Sequence, residues 1–218
     1  MKIKWYGHSA FKINTSKGTR IIIDPYESRS FGGALSYDKI EDEADIVMTS
    51  HDHADHNYIK SIKGKYKHIS KAGDYEIQSV KIKAIPTFHD NSAGKERGHN
   101  LIVAIVADGL SLVHTGDIGH ALDSDLLKKI GKVDILLLPV GGFFTIDAVQ
   151  AAKLMNTLQP SITIPMHYKT DKTSYPIATE EDFLRGKKSV SRLNVSEVEF
   201  KRETLSASTQ IMVLKSAL

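Results

Sequence analysis

Three histidines and two aspartates lie within the six-residue run His51-Asp52-His53-Ala54-Asp55-His56. The run directly follows the apolar segment Ile46-Val47-Met48-Thr49, so it stands at the end of a predicted strand. Neutral imidazole and carboxylate are the ligands that zinc, iron and manganese bind. A solvated polar turn would account for one histidine but not for this spacing. The run therefore predicts a metal site. Two adjacent ions explain it better than one, because a single loop can then supply ligands to both.

Three later segments each place a further candidate ligand after a strand-like stretch. They are Pro86-Thr87-Phe88-His89, His114-Thr115-Gly116-Asp117 and Ile164-Pro165-Met166-His167. In a layered fold the strand ends share one rim, so side chains that follow them can converge. The chain has no cysteine, which excludes thiolate ligands and thiol nucleophiles. It also lacks the Gly-x-Ser-x-Gly pattern of a serine nucleophile.

The composition is that of an ordinary globular protein. Its 218 residues, 41% hydrophobic and 25% charged, suffice for one sizeable core, and we expect a single domain over 1–218. The net charge is +3 and the positively charged residues are scattered along the chain, which argues against nucleic acid as a partner but does not oppose an anionic small-molecule substrate. No signal-like segment precedes the first strand and no apolar run reaches membrane-spanning length, so we expect a cytoplasmic protein without a membrane partner.

The order of predicted elements is many strands first, then strands alternating with helices. Asp108-Gly109 predicts a tight hairpin turn, and Thr145 is the predicted N-cap of a helix. This order favours two sheets with helices packed outside, an α+β architecture. The predicted strands are Ile3–Tyr6, Ala10–Asn14, Arg20–Ile23, Ile46–Thr49, Glu76–Gln78, Val80–Ile85, Leu101–Ala107, Leu110–His114, Asp134–Pro139, Ser161–Pro165 and Ile211–Leu214, and the predicted helices are Asp123–Ile130, Ile146–Leu158 and Glu180–Lys187.

The ligand run and the three later segments, in this order, resemble the signature of the metallo-β-lactamase superfamily. The resemblance extends from Trp5-Tyr6-Gly7-His8 to His167. It implies an αββα four-layer sandwich and two divalent metal ions, zinc first, with manganese or iron as alternatives. It also implies the following ligands: His51, His53 and His89 for the first ion, Asp55, His56 and His167 for the second, and Asp117 bridging the two.

A narrower set of motifs is similar to small stand-alone members of that superfamily, near the ascorbate-6-phosphate lactonase and N-acyl-phosphatidylethanolamine phospholipase D branches. These motifs are Arg97-Gly98-His99-Asn100, Gly116-Asp117-Ile118-Gly119-His120 and Pro165-Met166-His167-Tyr168-Lys169-Thr170. The resemblance implies a metal-dependent hydrolase that cleaves a small ester, lactone or phosphodiester with a metal-bound hydroxide. Which group protonates the leaving atom stays open between Asp55, a metal-bound water and His120.

Several polar residues outside the ligand set are candidates for positioning or substrate binding. Asp24 is expected to hold the His-rich loop, with a simple turn residue before Pro25 as the alternative, and His8 is expected near the metals or the substrate. Arg97 and Lys169 are candidates for binding an anionic group, although Arg97 could instead anchor its own loop. We also expect Asp52 to point away from the metals, His114 to be a hydrogen-bonded core residue and His68 to lie at the surface. Thr145 and a helix N-terminus near it could meet an anion. The long loops 25–43 and 90–100 either border the pocket or are surface segments that vary freely.

Three other functions compete with hydrolysis of a small molecule. Flavodiiron oxidoreductases have a similar loop but usually carry Glu where His53 stands. They also contain a flavin domain, for which this chain has no room. RNA-processing nucleases of the superfamily generally carry a further domain or a basic arm, and no basic, aromatic-interleaved insertion is visible. A non-catalytic metal-binding module would make little use of seven correctly ordered ligands. The sequence leaves the oligomeric state open, and a homo-oligomer is compatible with it.

Overall fold

Two β-sheets face each other across a shared apolar core in the computed structural model, which describes residues 1–218. The first sheet has the order β13-β1-β2-β3-β4-β5, formed by β1 (Lys2–Gly7), β2 (Ala10–Asn14), β3 (Arg20–Ile23), β4 (Ile46–Met48), β5 (Lys67–Ile69) and β13 (Glu197–Glu199). The second has the order β12-β14-β11-β10-β9-β8-β7-β6, formed by β6 (Gly73–Ile77), β7 (Val80–Phe88), β8 (His99–Ala107), β9 (Leu110–His114), β10 (Ile135–Pro139), β11 (Ile162–Met166), β12 (Val190–Arg192) and β14 (Gln210–Val213).

The strands of the first sheet are buried on both faces. In β3, Ile21 and Ile23 pack into the large core between the sheets, whereas Ile22 packs into a second, smaller cluster on the other face. This alternation follows from the two-residue period of a strand. The smaller cluster lies beneath the long loop 25–44, and that loop contributes Tyr26 and Tyr37 to it. The loop therefore covers the outer face of the sheet and is not free surface variation.

Four short helical segments complete the fold. They are α1 (Ser30–Gly33), α2 (Ser124–Ile130), α3 (Ala148–Leu158) and α4 (Glu181–Leu184). Helix α2 packs against β7, and α3 packs against β10 and α4, so the second sheet carries the main helical layer. Only α1, a distorted turn, and a 3-10 turn at Ile59–Ser61 accompany the loop over the first sheet. The expected sandwich is confirmed, with a thin outer layer on one side. None of the helices is long and apolar enough to cross a bilayer.

The predicted strands are found, with small shifts at their ends. The Asp108-Gly109 turn joins β8 to β9, and both of its residues have left-handed backbone (φ 54° and 71°), as the hairpin requires. Gln78 was predicted to end a strand but lies with Ser79 in a second hairpin turn of the same kind. Three strands were missed, β5, β12 and β13, because each has only three residues and a mostly exposed, polar sequence.

The start of α3 differs from the prediction. Asp147, not Thr145, is the N-cap, because its carboxylate accepts the N–H of Gln150 while the Gln150 side chain accepts the N–H of Asp147. The Thr145 hydroxyl instead donates to the carbonyl of Ile146. A carboxylate thus already occupies this helix N-terminus, which removes the reason to expect an anion there. Val149, in the first turn of α3, is 78% exposed. The predicted helix Glu180–Lys187 shortens to α4.

The strands that precede the candidate ligands all run in one direction within their sheets. In the first sheet β3 and β4 are parallel, and β1 has the same direction because two antiparallel pairings separate it from β3. In the second sheet β9, β10 and β11 are parallel, and β7 shares their direction through β8. The carboxyl ends of these strands therefore meet at one edge of the sandwich, where the chain changes from apolar strand to polar loop.

Candidate metal centre

The loop after β4 and the end of β7 bring three imidazoles together. His51, His53 and His89 each offer a ligand atom, and these atoms lie within 4.8 Å of one another. His51 is held from behind, because its Nδ1 is 2.9 Å from the hydroxyl of Ser50. Its other nitrogen, Nε2, is buried without a hydrogen-bond partner. The three residues form one half of the cluster.

A second group lies beside the first and is more deeply buried. Asp55, His56 and His167 offer ligand atoms within 4.8 Å of one another, and His8 belongs to the same group. His8 Nε2 lies 3.1 Å from Asp55 Oδ2, and the two residues are 47 positions apart in the chain. His8 follows β1 directly, as His167 follows β11. His8 therefore lies beside the candidate ligands, where it was expected.

Asp117 lies between the two groups. Its Oδ2 is 3.2 Å from His56 Nε2, 3.1 Å from His167 Nε2 and 3.4 Å from His89 Nε2. One carboxylate oxygen thus approaches members of both groups. Its other oxygen, Oδ1, is buried and has no hydrogen-bond partner. The backbone N–H of Asp117 donates to the side chain of Asn100, which fixes the position of the residue after β9.

Asp24 holds the His-rich loop from beneath. Fully buried, it accepts hydrogen bonds from the backbone N–H of Ser50 at 2.7 Å, the hydroxyl of Ser50 at 2.6 Å and Nδ1 of His56 at 2.9 Å. A metal-binding imidazole is commonly oriented by such a bond to its other nitrogen. Asp24 therefore does more than form a turn before Pro25.

Strained backbone is concentrated at this edge. His8, Asp24 and His167 all have left-handed backbone, with φ of 51°, 49° and 49°. Residues with a Cβ rarely adopt this conformation, and it persists only where surrounding structure imposes it, which is common at functional sites. All three come directly after a strand, at the edge where the cluster lies.

The cluster fits a bound metal ion by its own chemistry. Its donor atoms are imidazole nitrogens and carboxylate oxygens, which are the ligands that zinc, manganese and iron share. His51 Nε2, His56 Nε2 and Asp117 Oδ1 are all buried without a hydrogen-bond partner. Buried polar atoms are nearly always satisfied, so unsatisfied atoms gathered at one point indicate a missing partner. A cation is the partner that lone pairs of both kinds would accept.

Comparisons with known proteins agree with this cluster. Residues 2–167 match the family model of a Beta-lactamase superfamily domain. The chain belongs to the metallo-β-lactamase superfamily. A UPF0173 metal-dependent hydrolase from Thermococcus onnurineus is 32% identical over 78% of this chain and 85% of that protein, and one from Carboxydothermus hydrogenoformans is 31% identical with the same coverage. A superfamily protein from Thermotoga maritima, solved by crystallography, has a TM-score of 0.81 and 30% identity over 98% of this chain and 99% of its own. The chain is thus one of the metal-dependent hydrolases of the superfamily, as the resemblance implied.

The pKa shifts of three side chains in the cluster favour the protonation states that bind a metal cation. Burial alone would raise the pKa of Asp117, but the surrounding His167 and His56 outweigh it and hold that pKa well below its usual range. Burial lowers the pKa of His51, and nearby His56 lowers it further. Burial also lowers the pKa of His8, to about 4, with His167 contributing. Ionised carboxylates and neutral imidazoles are the forms that bind metals.

His56 is the exception among the imidazoles. Burial opposes its protonation, but the carboxylates of Asp117 and Asp55 outweigh burial and raise its pKa well above the ordinary value. The site therefore attracts positive charge at the point where His56 Nε2 and Asp117 Oδ2 meet. A bound metal cation would supply that charge in place of the proton.

Gly119 and Gly141 allow their backbone segments to lie directly against two of the ligand-bearing residues. A Cβ on Gly119 would lie under 3.0 Å from the backbone of His89, and one on Gly141 would lie equally close to the carbonyl of His167. The backbone at Gly141 therefore lies directly against that of the ligand-bearing residue His167. Gly142 has only the ordinary neighbour Asp147, at 3.5 Å. Small residues at these two positions allow the strand ends to pack against each other.

The loop after His89 is organised by one carboxylate that the sequence analysis did not single out. Asp90 accepts the backbone N–H groups of Ser92, Gly94, Glu96 and Arg97, at 2.8 to 3.0 Å. These donors outweigh the effect of burial and lower the pKa of Asp90. The Asp-x-Ser-x-Gly pattern at 90–94 is a usable signal, since aspartate commonly folds the backbone that follows it. Asp90 thereby sets the position of Arg97.

The remaining predicted residues divide between the site and other places. His120 is not brought into the cluster, because its Nε2 is 2.5 Å from the hydroxyl of Thr87 and its Nδ1 is 2.8 Å from the carbonyl of Ala121. Lys169 is exposed and lines none of the cavities at the cluster. Asp52 is exposed and bonds to Asn57, so it points away as expected. His114 is fully buried and bonds to the carbonyl of Ser9, and His68 is exposed, both as predicted.

Tyr175 is a cavity residue that no sequence pattern indicated. Its hydroxyl lies 3.4 Å from Asp55 Oδ2, although 120 positions separate the two residues. It lines a cavity of about 500 Å³ whose other walls include Asp55, His89, Asp117 and His167. This cavity opens directly onto the cluster.

Proposed function

We propose that this enzyme binds two divalent metal ions and hydrolyses a small ester, lactone or phosphodiester. The observation that carries the proposal is the place of Asp117, with one oxygen 3.1 to 3.4 Å from imidazole nitrogens on both sides of the cluster. A ligand shared in this way is what a site for two neighbouring ions requires. The unsatisfied atoms around it support the same reading.

The ligands divide into two sets around Asp117. His51, His53 and His89 would hold one ion, and Asp55, His56 and His167 would hold the other. Zinc is the first choice, because the donor set of imidazole and carboxylate suits it and the Thermotoga relative is described as a candidate Zn-dependent hydrolase. Manganese and iron accept the same donors.

The chemistry follows from what the site would hold and from how the chain supports it. Bound divalent ions lower the pKa of water towards neutrality and polarise the group to be cleaved, so no side-chain nucleophile is needed. Asp24 orients His56 through a 2.9 Å hydrogen bond, and His8 and Tyr175 both lie within hydrogen-bond distance of Oδ2 of Asp55. This support keeps the side chains in position before substrate arrives, which limits reorganisation during the reaction.

Asp55 is the better placed of the two side chains considered for handling the proton of the leaving group. It lines the cavity that opens onto the cluster, together with Asp117 and His167. His120 lines a different cavity and both of its ring nitrogens are engaged elsewhere. We therefore leave His120 out of the reaction and keep Asp55 and a metal-bound water as the two groups that could carry this proton.

Elemental analysis and a substrate panel test the proposal together. Protein purified without chelator or added metal should contain two divalent ions per chain. The same sample should hydrolyse at least one of 4-nitrophenyl acetate, a γ-lactone and bis(4-nitrophenyl) phosphate. Treatment with EDTA should abolish turnover and lower the melting temperature, because a ligand bound only to the folded state stabilises it. One ion or none, with no turnover after zinc or manganese is restored, would contradict the proposal.

A further inference from the structure

The space in front of the cluster is divided into two compartments with different chemistry. One, of about 500 Å³, has walls of Phe31, Phe144, Tyr175 and Pro176. The other, of about 770 Å³, is lined mainly by polar residues that include Asn57, His68 and His99. His53 and Arg97 line both compartments. The boundary between apolar and polar surroundings therefore lies at the cluster itself.

The apolar compartment has an aromatic wall. The ring of Tyr175 lies 5.9 Å from that of Phe31 and 5.8 Å from that of Phe144, both in edge-to-face geometry. Aromatic rings arranged in this way bind further apolar groups through both burial and ring contacts. Tyr175 thus joins the wall to the cluster, since its hydroxyl approaches Asp55.

Phe31 combines high exposure with an unfavourable backbone conformation. Its side chain is 57% exposed, and its backbone is left-handed, with φ 51° and ψ 48°. An exposed phenylalanine gains little from burial, and the left-handed conformation costs about 1–2 kcal/mol for a residue with a Cβ. Strain of this kind commonly accompanies a binding role. A bound apolar group would cover the ring that solvent now contacts.

Arg97 places a positive charge at the boundary. Its guanidinium lies 5.8 Å from the ring of Phe144 and makes no hydrogen bond to a carboxylate; the nearest is Glu96, at 3.9 Å. The loop is anchored instead by the backbone N–H of Arg97, which donates to Asp90. The side chain is therefore free to bind an anionic group, which guanidinium does through paired N–H donors.

From this division we infer that the substrate is amphipathic, with an aromatic or branched apolar group against Phe31, Phe144 and Tyr175 and an anionic group at Arg97. The inference rests on the proposed function and narrows its substrate class. The bond to be cleaved would lie between these two parts, beside His53. Phe31 and Arg97 are then the residues that determine specificity.

Calorimetric binding of two phosphonates to the metal-loaded enzyme tests the inference. Benzylphosphonate and methylphosphonate share the anionic group and differ only in the apolar one. We expect wild type to bind the benzyl compound about tenfold more tightly, since a factor of ten needs only a partly buried ring. Phe31→Asn, which suits left-handed backbone, should reduce this preference to less than threefold and leave the affinity for methylphosphonate unchanged. The control is Val195→Asn, because Val195 is also an exposed apolar residue (50%) but does not line the compartment.

The anionic part has its own matched pair of variants. Arg97→Gln should weaken both phosphonates by the same factor, about tenfold. Lys95→Gln, which removes a charge from an exposed residue of the same loop, should leave both affinities unchanged. Equal binding of the two phosphonates by wild type, or the same loss of preference in Val195→Asn, would overturn the inference. The preference is measured without turnover, so an inactive ester panel would count against the proposed function and not against the preference.

Discussion

Nδ1 of His56 lies 2.9 Å from Oδ2 of Asp24, and both side chains are fully buried. The opposite nitrogen of His56 lies 3.2 Å from Asp117 in the cluster. One hydrogen bond below the loop therefore orients the imidazole above it. Since Asp24 also binds Ser50 on both its backbone and its hydroxyl, it fixes the start of the loop as well as its end.

Asp24→Asn should weaken metal binding without removing a ligand. The amide loses the negative charge and can no longer satisfy all three of its donors, so His56 becomes poorly oriented. Loss of such an orienting partner typically reduces metal affinity 10- to 100-fold. Zinc competition against a chromophoric chelator measures this change. Asp52→Asn is the matched control, because Asp52 is an exposed carboxylate of the same loop that contacts only Asn57. Equal affinities for the two variants would argue against the orienting role.

Asp117→Ala should cause metal content and activity to collapse together. The carboxylate approaches imidazoles on both sides of the cluster, so its removal affects both proposed ions. His120→Ala should leave the metal content largely intact, because His120 bonds to Thr87 and Ala121 outside the cluster. Elemental analysis of both variants decides the matter. Two ions per chain in Asp117→Ala would show that the shared position is wrongly assigned.

The sequence is sufficient to predict those parts of the site that lie directly after apolar strands. His51, His89 and His167 follow strands whose apolar runs are unmistakable, and parallel strand ends must share an edge. Side-chain positions that depend on contacts between distant parts of the chain could not be predicted from the sequence. Tyr175 reaches Asp55 across 120 positions, and His120 turns away through a bond to Thr87, 33 positions earlier. Such contacts depend on how loops pack, which has no period along the chain that a pattern could reveal.

Two neighbouring glycines should respond differently to alanine. Gly142→Ala should cost about 1–2 kcal/mol of stability, since its φ is +67° and its surroundings are open, and metal affinity should be retained. Gly141→Ala should lower metal affinity, because the new Cβ would overlap the carbonyl of His167 and force that strand end to move. Urea unfolding of the metal-free proteins and zinc competition separate the two effects. A normal zinc affinity in Gly141→Ala would show that the His167 backbone can shift without moving the ligand.

Asp134 should link stability to pH at a point remote from the cluster. Burial would raise the pKa of Asp134, but the N–H of Ser111 and the cations of Arg202 and Lys132 outweigh it and lower that pKa. Because the pKa in the folded state is depressed, the stabilisation is fully present above the unfolded value of about 3.9 and disappears as the pH falls through the folded value. Asp134→Asn should therefore cost about 1.5–3 kcal/mol between pH 5 and 8, and less below pH 4.

Urea unfolding of wild type and Asp134→Asn between pH 3 and 8 measures this difference. Asp125→Asn is the control, since Asp125 pairs only with exposed Lys128, at 3.6 Å, and should lose less than about 0.5 kcal/mol at any pH. Arg202 supplies an independent check, because its guanidinium bonds directly to the Asp134 carboxylate at 2.5 Å. Arg202→Gln should reproduce part of the loss above pH 5 and none below the folded pKa of Asp134, where that carboxylate is protonated. A loss in Asp134→Asn that stays constant down to pH 3 would mean that its amide packs poorly, and that the charge of Asp134 contributes nothing.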